Sequence, residues 1–209
     1  MAKVKICGIT NAQDALWAVN LGVDFLGLNF YGQSPRKVSV KHAKDLLAQI
    51  PPFIKTVGVF VDEPVDALKK TVQATGLKWV QLHGSESPET VQQVKDLGVT
   101  VIKVIPVSKP LEAADVAPYQ DSVDYFMFDH RTPELPGGTG EAFDWEWIQN
   151  ISFVTKPWFL AGGLKPDNVG KALKQTQAAF IDVCSGVEKT PKTKDYEKMK
   201  AFVQAARGR

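Results

Sequence analysis

Two residues that can move protons, Cys7 and Asp129, end short apolar runs far apart in a 209-residue chain. A thiolate near a helix N-terminus is a competent base, because that setting lowers a thiol below its ordinary ~8.5. A carboxyl shielded by apolar neighbours, here Phe126 and Phe128, can stay protonated and serve as an acid. Each has a plainer reading alone: a cysteine is often a buried small hydrophobe, and a strand-end aspartate often shapes a turn. Only their joint placement points to acid–base chemistry.

Two glycine-bearing segments, FLAGGLKPDN and DVCSGVE, offer a second kind of chemistry. Gly162, Gly163, Ser185 and Gly186 can let backbone N–H groups approach an oxyanion closely, and a following helix N-terminus adds a favourable dipole. Taken together, the two segments suit a phosphate; either alone is equally a tight turn. Arg36 lies in a loop punctuated by Gly32 and Pro35, where its guanidinium can clamp a planar carboxylate or simply be solvated. His83, after VQL, is a candidate site residue or a satisfied structural histidine. Asp182 shares side-chain parity with Cys184 and needs a partner if it faces inward; Lys5 is the candidate.

The elements that must hold these residues alternate regularly. Strand-like runs fall at 3–8, 24–29, 55–61, 78–82, 100–105, 123–129, 157–161 and 178–184, several of them nearly continuous in Val, Ile and Phe. Amphipathic segments fall at 12–21, 40–49, 65–75, 88–97, 111–118, 145–150, 166–173 and 195–206. Eight strand–helix pairs predict an α/β protein, a single (β/α)8 barrel spanning residues 1–209, with an open doubly wound sheet as the alternative. The unusual residues all follow strands, on the face where such barrels carry their sites. Residues 132–140 have the composition of a mobile loop.

Composition narrows the class of partner. With 25 basic and 23 acidic residues the net charge is +2, which argues against nucleic acid. No apolar run approaches the ~20 residues of a membrane span, and the N-terminus lacks the pattern of a signal peptide. The two cysteines show no metal-site spacing. A cytoplasmic protein, monomeric or homodimeric, with a small-molecule partner, no metal and no membrane contact is expected. Phe53 and Trp147 are candidate dimer contacts.

The blocks KVKICGIT, GLNFYGQSPRKVS, TVGVFVD, VQLHGSE, FMFDH, PGGTGEAFDW, LAGGLKPDNV and IDVCSGVE, in that order, resemble the signature set of phosphoribosylanthranilate isomerases across nearly the whole chain. The resemblance implies a (β/α)8 barrel that performs an Amadori rearrangement in tryptophan biosynthesis without a cofactor. N-(5-phosphoribosyl)anthranilate would become 1-(2-carboxyphenylamino)-1-deoxyribulose 5-phosphate. It further implies that Cys7 is the general base and Asp129 the general acid. Arg36 would bind the anthranilate side, and Asp182 would assist near the substrate amine.

Three positions depart from the family pattern. Gly32 stands where a proline is usual, and Cys184 replaces a serine. EKTPKTKD lacks the glycine often found after its proline, a change expected to be confined to the surface. Competing classes are a histidine-pathway barrel isomerase, a carbon–carbon lyase such as a tryptophan synthase α subunit, and a non-catalytic phosphosugar-binding protein. The first would carry an aspartate where Cys7 stands. The second needs acids on other strands, and the third has no need of Cys7 and Asp129 together.

Overall fold

The computed structural model describes residues 1–130 and 144–208, so the 132–140 segment singled out above lies outside the described residues. Among the described residues eight parallel strands close into a barrel in simple sequence order, which settles the choice against an open sheet. They are β1 (Lys3–Ile6), β2 (Phe25–Asn29), β3 (Lys55–Phe60), β4 (Trp79–Leu82), β5 (Thr100–Val107), β6 (Tyr125–His130), β7 (Trp158–Leu160) and β8 (Phe180–Val183). The helices α1 (Ala12–Asn20), α2 (Val40–Leu47), α3 (Val65–Thr75), α4 (Pro88–Lys95), α5 (Ala113–Val116), α6 (Val169–Thr176) and α7 (Tyr196–Ala206) lie between and after them. A short hairpin of β9 (Glu188–Thr190) and β10 (Thr193–Lys194) follows β8.

Local chemistry explains most helix starts. Asn11, Ser39, Ser87 and Asp195 each accept a hydrogen bond from a backbone N–H of the first turn of α1, α2, α4 and α7. The expected helix at 166–173 begins three residues later, because Asn168 is occupied in the preceding loop. Its side chain accepts from the Lys165 N–H at 2.7 Å and donates to the Gly163 carbonyl at 2.9 Å. The same helix runs on to Thr176 and stops at Gln177, which takes the left-handed conformation (φ 56°) usually left to glycine. The helices expected at 111–118 and 145–150 shrink to α5 followed by one 3-10 turn, and to a lone 3-10 turn over Trp145–Ile148.

Strand alternation separates two cores. Val4, Ile6, Leu26, Phe126, Phe128 and Ile181 face outward and pack under the helices. Phe25, Val57, Ile102, Met127 and Phe159 face inward, with Trp79, Tyr125 and Phe180 against them. Edge-on ring contacts at 5.3–5.5 Å tie Phe25 to Trp79 and Phe159, and Tyr125 to Phe180, making an aromatic floor. That floor closes the amino-terminal half of the barrel. Continuing the same parity two and four residues further brings the inward polar side chains to the other end.

Candidate active site

Inward parity carries Cys7 from β1, Asn29 from β2, His83 from β4, Asp129 from β6, and Asp182 and Cys184 from β8 to the carboxyl-terminal mouth. With Arg36 they line one cavity of about 190 Å³. Cys7, Arg36, His83, Asp129, Asp182 and Cys184 are therefore brought together. A larger recess of about 300 Å³, lined by Pro51, Phe53 and Trp79, opens at the opposite end and holds none of them. Phe53 is highly exposed there, whereas Trp147 is partly buried against the outer core.

At the base of the site, Lys5 pairs with Asp182 at 2.9 Å, as inward parity on two adjacent strands anticipates. Burial opposes the Lys5 charge, but Asp182 and the neighbouring Cys7 outweigh it and hold the ammonium above its usual value. Gly27 provides the room. A Cβ there would sit 2.7 Å from the Cys7 sulfur and 3.1 Å from the Lys5 ammonium.

Cys7 itself is buried, and the expectation of a simple low-pKa thiol is corrected. The neighbouring Cys184 thiol and burial push Cys7 well above the ordinary thiol value, against the pull of Lys5. The anion-favouring position is Cys184. The neighbouring Cys7 thiol, opposed by burial and reinforced by Lys194 and Arg36, draws it below the ordinary thiol value.

Asp129 also differs from expectation. Phe126 and Phe128 point outward to the helices, so they do not shield it. Its partner is His83, whose Nε2 lies 3.2 Å from the Asp129 carboxylate. The Gln81 amide lies 2.9 Å from the other ring nitrogen, Nδ1. With the Gln81 N–H donating there, the ring proton sits on Nε2 and faces Asp129.

Arg36 reaches back across the loop to Glu188, its Nε and Nη2 each donating to a carboxylate oxygen at 2.7 Å. Lys194, fully buried, donates to the same carboxylate at 3.0 Å and to the Cys184 carbonyl at 3.1 Å. Burial works against ionised Glu188, but Arg36 and Lys194 prevail and hold its carboxyl below the usual range. Two cations around one anion leave this three-residue cluster with a net positive charge, and Arg36 keeps N–H donors that Glu188 does not use.

Glu188 and Lys194 were missed in the sequence, since the Arg36–Glu188 pairing spans 152 residues and has no local signature. The neighbouring departure from the family pattern lies at the surface, as expected, and has a backbone consequence. Lys192, where the glycine is usual, has φ 79°, and its carbonyl accepts from the Thr10 hydroxyl at 2.7 Å.

The glycine loops lie side by side at the same mouth. Gly162 and Gly163 have φ of 86° and 60°, and a Cβ on Gly162 would meet the His130 backbone nitrogen at 2.6 Å. A Cβ on Gly186 would sit 2.0 Å from the Leu164 carbonyl oxygen, so only glycine allows the two loops to touch. Ser185 and Gly186 begin a 3-10 turn. Among the described residues no group of three His, Cys, Asp or Glu side chains could hold a metal ion, and no helix is long and apolar enough to cross a membrane.

Comparison with known proteins agrees with this geometry. Residues 4–205 match the family described as N-(5'phosphoribosyl)anthranilate (PRA) isomerase. The N-(5'-phosphoribosyl)anthranilate isomerase of Gloeothece citriformis (strain PCC 7424) is 41% identical, covering 97% of this chain and 92% of the relative. The crystal structure of phosphoribosyl anthranilate isomerase from Thermotoga maritima superposes with a TM-score of 0.90 at 36% identity, covering 100% of both chains. A second solved phosphoribosyl anthranilate isomerase, in complex with reduced 1-(o-carboxyphenylamino)-1-deoxyribulose 5-phosphate, has a TM-score of 0.87 at 34% identity, again over 100% of both chains. A closed barrel of this topology, matched over nearly its full length, belongs to the N-(5'-phosphoribosyl)anthranilate isomerase family.

Proposed function

We propose that the chain converts N-(5'-phosphoribosyl)anthranilate to 1-(2-carboxyphenylamino)-1-deoxyribulose 5-phosphate, a step of tryptophan biosynthesis, with Cys7 as base and Asp129 as acid. The observation that carries this reading is that both residues line one cavity from different strands of the barrel. The Asp129 carboxyl donates its proton to the ribose ring oxygen, and the C1'–O bond breaks as the amine lone pair forms a Schiff base. The N–H of His83 faces the carboxylate left behind and stabilises it. The Cys7 thiolate then removes the C2' proton, and the resulting enolamine becomes the ketone. One carbon is oxidised as its neighbour is reduced, so the atoms balance without a cofactor.

The substrate's two anionic ends suit the two sides of the mouth. Arg36, aligned by Glu188, is placed to take the anthranilate carboxylate on its free donors. The touching glycine loops of Gly162, Gly163, Ser185 and Gly186 suit the phosphate, following the seventh and eighth strands where barrels of this kind often bind one. Asp182, held by Lys5, is assigned to the substrate amine. A solved relative holds a ligand that carries both a carboxylate and a phosphate, the two anionic groups this mouth would have to accept. The phosphoribosyl substrate is the small-molecule partner, and a cytoplasmic setting keeps both thiols reduced.

The test is consumption of phosphoribosylanthranilate, followed by fluorescence, for the wild type, Cys7→Ala and Asp129→Asn. Each variant should lose about 10²–10⁴-fold in turnover, the worth of a positioned proton-transfer group. Full turnover in either folded variant removes that residue from the mechanism. Activity on the histidine-pathway aldose in place of phosphoribosylanthranilate would reassign the substrate.

A further inference from the structure

Cys184 is a member of the mouth that the proposed steps leave unused. Its position is nevertheless set by the barrel's own register. Lys5 pairs with Asp182 and Ile6 with Val183, and the Cys7 N–H donates to the Val183 carbonyl at 2.9 Å. The next pair in that ladder is Cys7 with Cys184. Since Lys5 and Asp182 meet inside the barrel, the residues two further along each strand turn to the same side. The two thiols are neighbours on adjacent strands and line the same cavity.

Their electrostatic surroundings differ. Cys7 sees Lys5, a cation already committed to Asp182, and Asp182 itself opposes a second negative charge. Cys184 has the Lys194 ammonium 3.8 Å from its sulfur and the Arg36 guanidinium beside it, with Glu188 as the opposing charge. His83 and Asp129 stand on other strands of the same cavity. Of the two neighbouring thiols, Cys184 is thus the better placed to hold a negative charge.

We infer that Cys184 is a positioning residue that shares one proton with the catalytic base, and that Cys7 becomes competent by passing its proton to Cys184. The S–H bond of Cys7 breaks, an S–H bond forms on Cys184, and the electron pair stays on the Cys7 sulfur that faces the substrate. No other reactant is needed. The two groups then titrate as a unit, and the acid limb of turnover reports the pair. Because Lys194 and Arg36 favour an anion on Cys184, that limb lies below where Cys7 alone would place it.

This inference rests on Cys7 being the base, and two measurements separate the two ideas. Cys184→Ser keeps size and a hydrogen-bond donor but cannot hold the anion. Its acid limb of kcat should move up by about one pH unit or more, to the ordinary thiol range of ~8.5 or beyond. Ultraviolet thiolate absorbance, read without substrate, should show the wild type forming one thiolate near neutrality and the second well above it. In Cys184→Ser the near-neutral step should vanish. Acid limbs that superpose, or wild-type thiols that titrate independently in the ordinary range, overturn the shared proton. A Cys7→Ala enzyme with full turnover overturns the base assignment instead, whatever the absorbance shows.

Discussion

Lys5 and Asp182 are register partners on adjacent strands whose side chains meet at 2.9 Å inside the barrel, with the lysine fully buried. The pair forms the polar layer on which Cys7 stands. Removing one partner of such a pair strands the other charge, at a cost of about 3–5 kcal/mol. Lys5→Met should lower stability by that order in urea unfolding, and Lys5→Met with Asp182→Leu should recover much of the loss. A loss below about 1 kcal/mol in the single variant would show that Asp182 finds solvent or another cation. The pH sense follows from the raised Lys5 value: its contribution is whole below ~10.4 and fades as pH rises through the higher folded value.

The Arg36–Glu188 fork predicts a different signature. Lysine keeps the charge but cannot engage Glu188 and a substrate carboxylate with one planar group. Arg36→Lys should therefore raise KM by about tenfold or more, with a smaller fall in kcat. An unchanged KM would remove Arg36 from substrate binding. Glu188 ionises more readily folded than unfolded, so its contribution is whole above ~4.3 and is lost as pH falls through its lower folded value. Glu188→Gln should start less stable at neutral pH and lose less on acidification than the wild type.

These two pairs show why the site was only partly legible. Cys7, Asp129 and Asp182 each sit at the inward parity of a strand, and alternation along one strand is enough to place them. Phe126 and Phe128 adjoin Asp129 in the chain, and the same alternation turns them away from it. Gly27 was legible in principle, as the small inward residue between Phe25 and Asn29 that leaves space for the Cys7 sulfur. Glu188 and Lys194 were not, because the folded β9–β10 hairpin alone brings them to Arg36. The barrel was readable from regular alternation. The bounds of α6 were not, since Asn168 braces the Gly163 loop and Gln177 ends the helix in a conformation that its residue type does not announce.

Lys192 turns the β9–β10 hairpin with φ 79°, and its side chain is exposed. A non-glycine residue pays about 1–2 kcal/mol for that region, partly offset by the greater freedom glycine loses on folding. Lys192→Gly should raise stability by about 0.5–1 kcal/mol, a shift of a few degrees in Tm. A lower Tm would show that the lysine side chain contributes more than its backbone conformation costs.

The adjacency of Cys7 and Cys184 has a redox consequence. Both thiols are free, and they extend a parallel ladder whose strands lie about 4.8 Å apart, within the usual Cα range of a disulfide. The register that pairs Lys5 with Asp182 turns both sulfurs to the inner side of the barrel. Diamide should therefore oxidise the two thiols to a disulfide while it is reduced to the hydrazine, removing the proposed base. Activity should fall and return with dithiothreitol. Cys184→Ser, compared with its own untreated activity, should resist this loss. Peptide mapping of the treated wild type should recover one linked peptide containing Cys7 and Cys184. Equal diamide sensitivity in Cys184→Ser, with Cys7 recovered as a lone oxidised thiol, would show that the sulfurs do not bond and that Cys7 is oxidised on its own.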